Sequence, residues 1–61
     1  MKITRNSRGD TYIWLQKPRN ARIVQTTELS DAVMVDFDED DLPVGIEILG
    51  EKKFKVELLG D

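Results

Sequence analysis

Between Val33 and Leu49 the chain runs twice through a strict alternation of apolar and polar residues, with an acidic segment in between. Val33, Val35 and Phe37 alternate with Met34 and Asp36; Val44, Ile46 and Ile48 alternate with Gly45 and Glu47. Period-two alternation marks a strand with one covered face, and two such runs about a short polar tip predict a β-hairpin. With Asp40 and Asp41 as the central turn residues, Phe37 falls opposite Val44, Val35 opposite Ile46 and Val33 opposite Ile48. A slip of one residue would set Val35 and Phe37 against Gly45 and Glu47, so the apolar pattern selects the register. Pro43 then faces Asp38 at a non-hydrogen-bonded position, where its missing N–H breaks no cross-strand bond. Asp41 fits less well, because a two-residue turn wants φ > 0 and hence glycine. A longer loop over residues 39–42 is the alternative.

The rest of the chain carries the same signal in shorter pieces. Residues 2–5 alternate weakly, with Ile3 as the inward anchor, and residues 6–10 (Asn-Ser-Arg-Gly-Asp) are a turn by composition. Residues 11–16 form a second strand, rich in β-branched and aromatic side chains, with Tyr12 and Trp14 on one face and Ile13 and Leu15 on the other. A turn at residues 17–20 leads to a third strand over residues 21–29. Ser30 or Asp31 would cap a single helical turn before the central hairpin. Phe54, Val56 and Leu58 alternate with Lys53, Lys55 and Glu57, which predicts a last strand over residues 53–59; a helix over residues 51–59 is the alternative. The fold class expected is all-β: one domain over residues 1–61, a small antiparallel meander of five or six strands with one short helical turn.

The residues Val35-Asp36-Phe37-Asp38-Glu39-Asp40 and Val44-Gly45-Ile46-Glu47-Ile48-Leu49, with Tyr12-Ile13-Trp14-Leu15 upstream, resemble a family of small prokaryotic proteins known as domain-of-unknown-function family 2283, whose pattern reads VxxDxDxDGxxVGIEIL. The similarity covers residues 2–49 and is most specific in the Gly-Ile-Glu-Ile-Leu block. This chain departs from it at Asp41, where the family usually has glycine, at Pro43, where it usually has an aliphatic residue, and at Asp10, which is one residue closer to Tyr12. The resemblance implies a small β-rich fold and no assigned activity. It also implies a small partner of the kind found in paired toxin and antitoxin genes.

Composition narrows the chemistry. The 61 residues include no cysteine and no histidine, which removes the thiolate nucleophile, the commonest general base and the commonest transition-metal ligand. A chain of this size is at the lower edge of what folds unaided, so self-association is expected, most simply as a homodimer. No apolar run approaches the ~20 residues of a membrane span and no signal-peptide core follows Lys2; the expectation is a cytoplasmic chain. The net charge of −3 hides an asymmetry. Residues 1–28 carry Lys2, Arg5, Arg8, Lys17, Arg19 and Arg22 against Asp10 and Glu28, a balance of +4, and the remainder stands at −7. Such a split steers partners.

The expected function is a non-catalytic, self-associating protein–protein interaction module, antitoxin-like or inhibitor-like. Its candidate interaction residues are Tyr12 and Trp14, as an aromatic platform for a second copy of the chain, and Asp38, Glu39, Asp40 and Asp41, as an acidic tip for a basic protein partner; packing of the two aromatics in the chain's own core, or against a foreign partner, is the alternative for Tyr12 and Trp14. No catalytic residue, cofactor or metal ligand is assigned. Two alternatives stand beside it. The basic first half could bind nucleic acid, with Trp14 and Tyr12 as stacking groups, although the acidic second half opposes this. Asp36, Asp38, Asp40 and Glu47 occupy positions 1, 3, 5 and 12 of a calcium loop, but Asp41 stands where that loop needs glycine and the flanks read as strands. Asp36, Asp38 and Glu47 share a predicted sheet face and could in principle act as acid and base. The tripeptide Arg8-Gly9-Asp10 matches an integrin-binding motif, a length that recurs by chance.

Overall fold

The computed structural model describes residues 2–17 and 21–50. They form β1 (Lys2–Arg5), β2 (Thr11–Trp14), β3 (Gln25–Glu28), β4 (Val33–Phe37) and β5 (Pro43–Ile48), in one five-stranded sheet of order β1-β2-β5-β4-β3. Every pairing is antiparallel, and there is no helix among the described residues. The fold is all-β and meander-like, with one departure from sequential order: β2 pairs with β5, so the last described strand lies at the centre of the sheet. β2 and β3 are shorter than the predicted strands over residues 11–16 and 21–29. In place of a helical turn at Ser30 and Asp31, Leu29 N–H and Ser30 N–H both bond Val33 O (2.8 and 3.2 Å) and the Ser30 hydroxyl accepts from Ala32 N–H (3.2 Å). The strand expected over residues 53–59, and its helical alternative, lie outside the described residues.

The body of the central hairpin has the register that the apolar alternation demands: Val33 pairs with Ile48 and Val35 with Ile46. Its tip differs. Phe37 pairs with Pro43 instead of Val44, after a register shift between Asp36 and Phe37 that leaves Val44 as an extra residue on β5. A β-bulge of this kind re-aims the strand locally, and Val44 is the fully buried large apolar residue among those described. Pro43 still sits where no cross-strand N–H is needed, because the closing bond runs one step beyond it, from Asp38 N–H to Leu42 O (2.9 Å).

The bulge is paired with a three-residue loop, Glu39-Asp40-Asp41, in place of the expected two-residue turn. Asp41 N–H bonds Asp38 O (3.1 Å), and Asp41 takes φ 65°. That is a β-turn followed by a left-handed residue, a common three-residue hairpin connection. The β1–β2 hairpin is closed by the same device. Asn6 N–H bonds Asp10 O, Gly9 N–H bonds Asn6 O (both 3.1 Å), and Gly9 has φ 86°. In each loop the first residue caps the turn with a side-chain oxygen. Asn6 Oδ1 accepts from Arg8 and Asp10 N–H (2.9 and 3.0 Å); Asp38 Oδ1 accepts from Asp40 and Leu42 N–H (2.9 and 3.0 Å). Asn and Asp fill this place because their short acceptors reach backbone two residues on.

Strand register divides the sheet into two faces. Ile3, Ile13, Ile46, Ile48, Val33, Val35 and Phe37 share one, and all are half-buried. Tyr12, Trp14, Gly45, Glu47, Met34, Asp36 and Thr26 share the other.

Candidate functional site

The second face carries a polar row across the middle of the sheet. Trp14 on β2, Gly45 on β5, Asp36 on β4 and Thr26 on β3 are successive cross-strand partners. Asp36 is buried, with 9% of its surface exposed. A carboxyl group at such a place must have its polar atoms satisfied, and it does: Tyr12 Oη donates to Oδ2 (2.7 Å) and Thr26 Oγ1 donates to Oδ1 (2.6 Å). Tyr12 starts one row away, opposite Glu47, and reaches Asp36 diagonally across Gly45. A Cβ on Gly45 would stand 2.6 Å from Tyr12 Cζ and 2.7 Å from its Oη, so only glycine leaves room for the ring. Trp14 packs edge-on against Tyr12, ring centroids 4.6 Å apart at 61°, a favoured aromatic geometry.

Burial first, then the carboxylate of Asp36, and then that of Glu47, raise the Tyr12 hydroxyl well above its ordinary pKa of 10.0. The phenol is therefore a committed donor. A second bridge spans β5 on the same face: Gln16 Nε2 donates to Asp38 Oδ2 (2.9 Å) and to Pro43 O (3.2 Å). The Gln16 amide, then the Leu42 and Asp40 backbone donors, hold the Asp38 carboxyl below the usual carboxylate range. Asp10 is lowered likewise, by Asn6 Nδ2 (3.1 Å), by Gly50 N–H (3.2 Å) and by Arg8 3.5 Å away. Beside Tyr12 a shallow depression of about 140 Å³ is lined by Thr4, Asn6, Asp10 and Glu47 among others, below the usual size of a small-molecule site.

The predicted site residues therefore separate. Tyr12 and Trp14 touch each other and are half-buried, with Tyr12 engaged on Asp36. Asp38 is a turn cap. Glu39, Asp40 and Asp41 are exposed at the loop, next to Leu42, which is 56% exposed. The acids of the calcium-loop spacing are not brought to a common centre: Asp36 is engaged by Tyr12 and Thr26, Asp38 by Gln16 and its own loop, and among the described residues no group of three or more acidic side chains is placed to hold a metal. In Arg8-Gly9-Asp10 the aspartate is tied to Asn6 and Gly50. The sequence reading passed over Thr26 and the role of Gly45. The available signal was a glycine inside an otherwise alternating strand, which marks a close approach.

Sheet and row together define a small open antiparallel sheet with an aromatic–carboxylate row on one face and an acidic hairpin tip at one end. The family model described as protein of unknown function (DUF2283) matches residues 11–52, most of the chain, and the chain belongs to that family. No curated protein and no solved structure matches it. Among the described residues no helix is long and apolar enough to cross a membrane.

Proposed function

We propose that this chain is a non-catalytic interaction module, antitoxin-like or inhibitor-like, which self-associates and offers Glu39, Asp40 and Asp41 to a basic surface on a protein partner. The observation that carries the reading is the division of labour among the acids. Asp36, Asp38 and Asp10 spend their oxygens on donors of their own chain, whereas the three loop carboxylates point from a capped turn into solvent. A turn held by four hydrogen bonds presents charge with little ordering cost on binding, and Leu42 beside it supplies apolar contact. Both oxygens of the buried aspartate accept bonds from side chains of its own chain, which supports a structural role for it.

The test is affinity capture from the source cell with the full chain, alongside a variant carrying Glu39→Gln, Asp40→Asn and Asp41→Asn. Asparagine tolerates the left-handed position, so the loop survives. A stoichiometric basic protein retained by the parent chain and lost from the variant supports the reading. Capture that is indifferent to the three charges, or retention of the parent on heparin at low salt with steep salt dependence, overturns it in favour of another surface or of nucleic acid.

A further inference from the structure

We infer that the outer edge of β3 is the seam at which two copies of this chain pair, an inference that rests on the self-association reading above and gives it a location. The bond from Leu29 N–H to Val33 O (2.8 Å) belongs to the register that pairs Thr27 with Val35 and Gln25 with Phe37. Hydrogen-bonded and non-hydrogen-bonded pairs alternate along an antiparallel ladder. Residues 25, 27 and 29 therefore spend their backbone groups on β4, and the N–H and C=O of Thr26 and Glu28 point outward. The closing bond from Asn6 N–H to Asp10 O gives the corresponding result for the opposite edge, where the outward groups belong to Ile3 and Arg5.

The two edges of the sheet formed by the described residues differ in charge. Self-pairing of β1 would bring the Lys2 ammonium groups of both copies to the seam, and lysine on an edge discourages pairing. β3, Gln25–Glu28, has no lysine and no proline. A two-fold pairing centred on Thr27 sets Thr26 of each copy opposite Glu28 of the other. That one register satisfies all four outward groups of each strand and closes on itself. It also brings the exposed segment bearing Arg22 in one copy beside the exposed segment bearing Asp31 in the other, opposite charges at both ends of the seam. The two Glu28 positions become diagonal neighbours about 7–8 Å apart, with exposed side chains whose repulsion solvent screens. Leu29, 65% exposed, falls opposite Gln25 of the second copy. The seam's charges and its closing register are supplied by the chain itself, which is why its occupant is a second copy.

Sedimentation and light scattering of the full chain over a range of concentrations test this with two variants. Glu28→Pro removes an outward N–H and puts a ring in the seam while sparing the β3–β4 bonds; Glu28→Gln keeps the N–H. The parent chain and Glu28→Gln are expected at twice the monomer mass, and Glu28→Pro at the monomer mass with an unchanged sheet signal. A dimeric Glu28→Pro overturns the seam and leaves self-association standing. Mass that grows without limit, as head-to-tail pairing of β1 on β3 would give, overturns it too. A parent chain that is monomeric throughout overturns both. Because the chain has no cysteine, Thr27→Cys gives an independent reading that does not depend on a proline variant folding. At the axis of the seam two Cα atoms stand about 4.5 Å apart, within disulfide reach. Rapid oxidative cross-linking of Thr27→Cys, but not of Thr4→Cys on β1, is expected, and the reverse result overturns the proposal.

Discussion

Tyr12 lies across Gly45: its ring occupies the space that any side chain on that residue would need, with Cζ 2.6 Å from the position of an added Cβ. The contact is with the ring and not with a mobile chain end, so an alanine there has to displace Tyr12 and with it the bond to Asp36. Gly45→Ala is therefore expected to cost about 1–3 kcal/mol, the usual range for overpacking, read as a lower urea midpoint. The same substitution in a Tyr12→Ala background is expected to cost much less. Equal costs in the two backgrounds would show that the ring is not what Gly45 accommodates.

Tyr12→Phe keeps the ring and removes the donor, leaving Asp36 Oδ2 buried without its partner; Thr26→Val does the same to Oδ1. Each is expected to destabilise by about 1–3 kcal/mol. Since both act on one carboxylate, the double variant should depart from additivity. A sum that is additive within error would mean that the two bonds are independent.

The Tyr12 hydroxyl also makes a pH prediction. Its folded pKa lies above the unfolded value of 10.0, so its contribution to stability is complete below pH 10.0 and is lost as pH rises toward the folded pKa. The chain has one tyrosine, so phenolate absorbance near 295 nm reports this group alone. The native protein should show no transition where free tyrosine titrates, and Asp36→Asn, which removes the charge, should bring the midpoint down.

The hairpin body was readable because Val33, Val35, Ile46 and Ile48 must share a covered face and a one-residue slip would reverse them all. Its tip was not. A left-handed Asp41 and a bulge at Val44 each displace the register by one residue in compensating ways, and neither has a strong sequence mark when aspartate stands in for glycine. The pairing of β2 with β5 was equally hidden, because alternation identifies strands without naming their neighbours. The burial of Asp36 was hidden for a related reason: a polar position in the alternation reads the same whether water or a tyrosine on a distant strand covers it. Residues 21–24 looked like strand by composition, yet Val24 N–H bonds Phe37 O, the carbonyl that the Gln25–Phe37 pair already faces, and regular pairing begins only at Gln25.

Asp41 is the residue with positive φ that is not glycine among those described. A left-handed conformation costs an L-residue roughly 1–2 kcal/mol, less for Asp and Asn, and glycine escapes it at some expense in unfolded-chain entropy. Asp41→Gly is expected to raise stability by about 0.5–1 kcal/mol, and Asp41→Val to lower it, in thermal or urea unfolding. A destabilised Asp41→Gly would mean that the carboxylate itself supports the loop.

The two hairpin loops are built alike, with Asn6 in one and Asp38 in the other accepting the same pair of backbone bonds. A neutral amide therefore suffices for the cap, and the charge on Asp38 adds a pH dependence that the cap does not require. The Asp38 pKa is depressed below 3.8, so the carboxylate's support is present above that value and is lost as pH falls through the lower, folded pKa. The amide resonances of Asp40 and Leu42 should accordingly shift together at a midpoint below 3.8. Asp38→Asn should keep the loop closed and abolish that shift, since Gln16 can turn its amide to offer oxygen to the new Nδ2. Asp38→Ala should loosen the loop at every pH. An Asp38→Asn protein as loose as Asp38→Ala would show that this loop, unlike the one at Asn6, is held by charge.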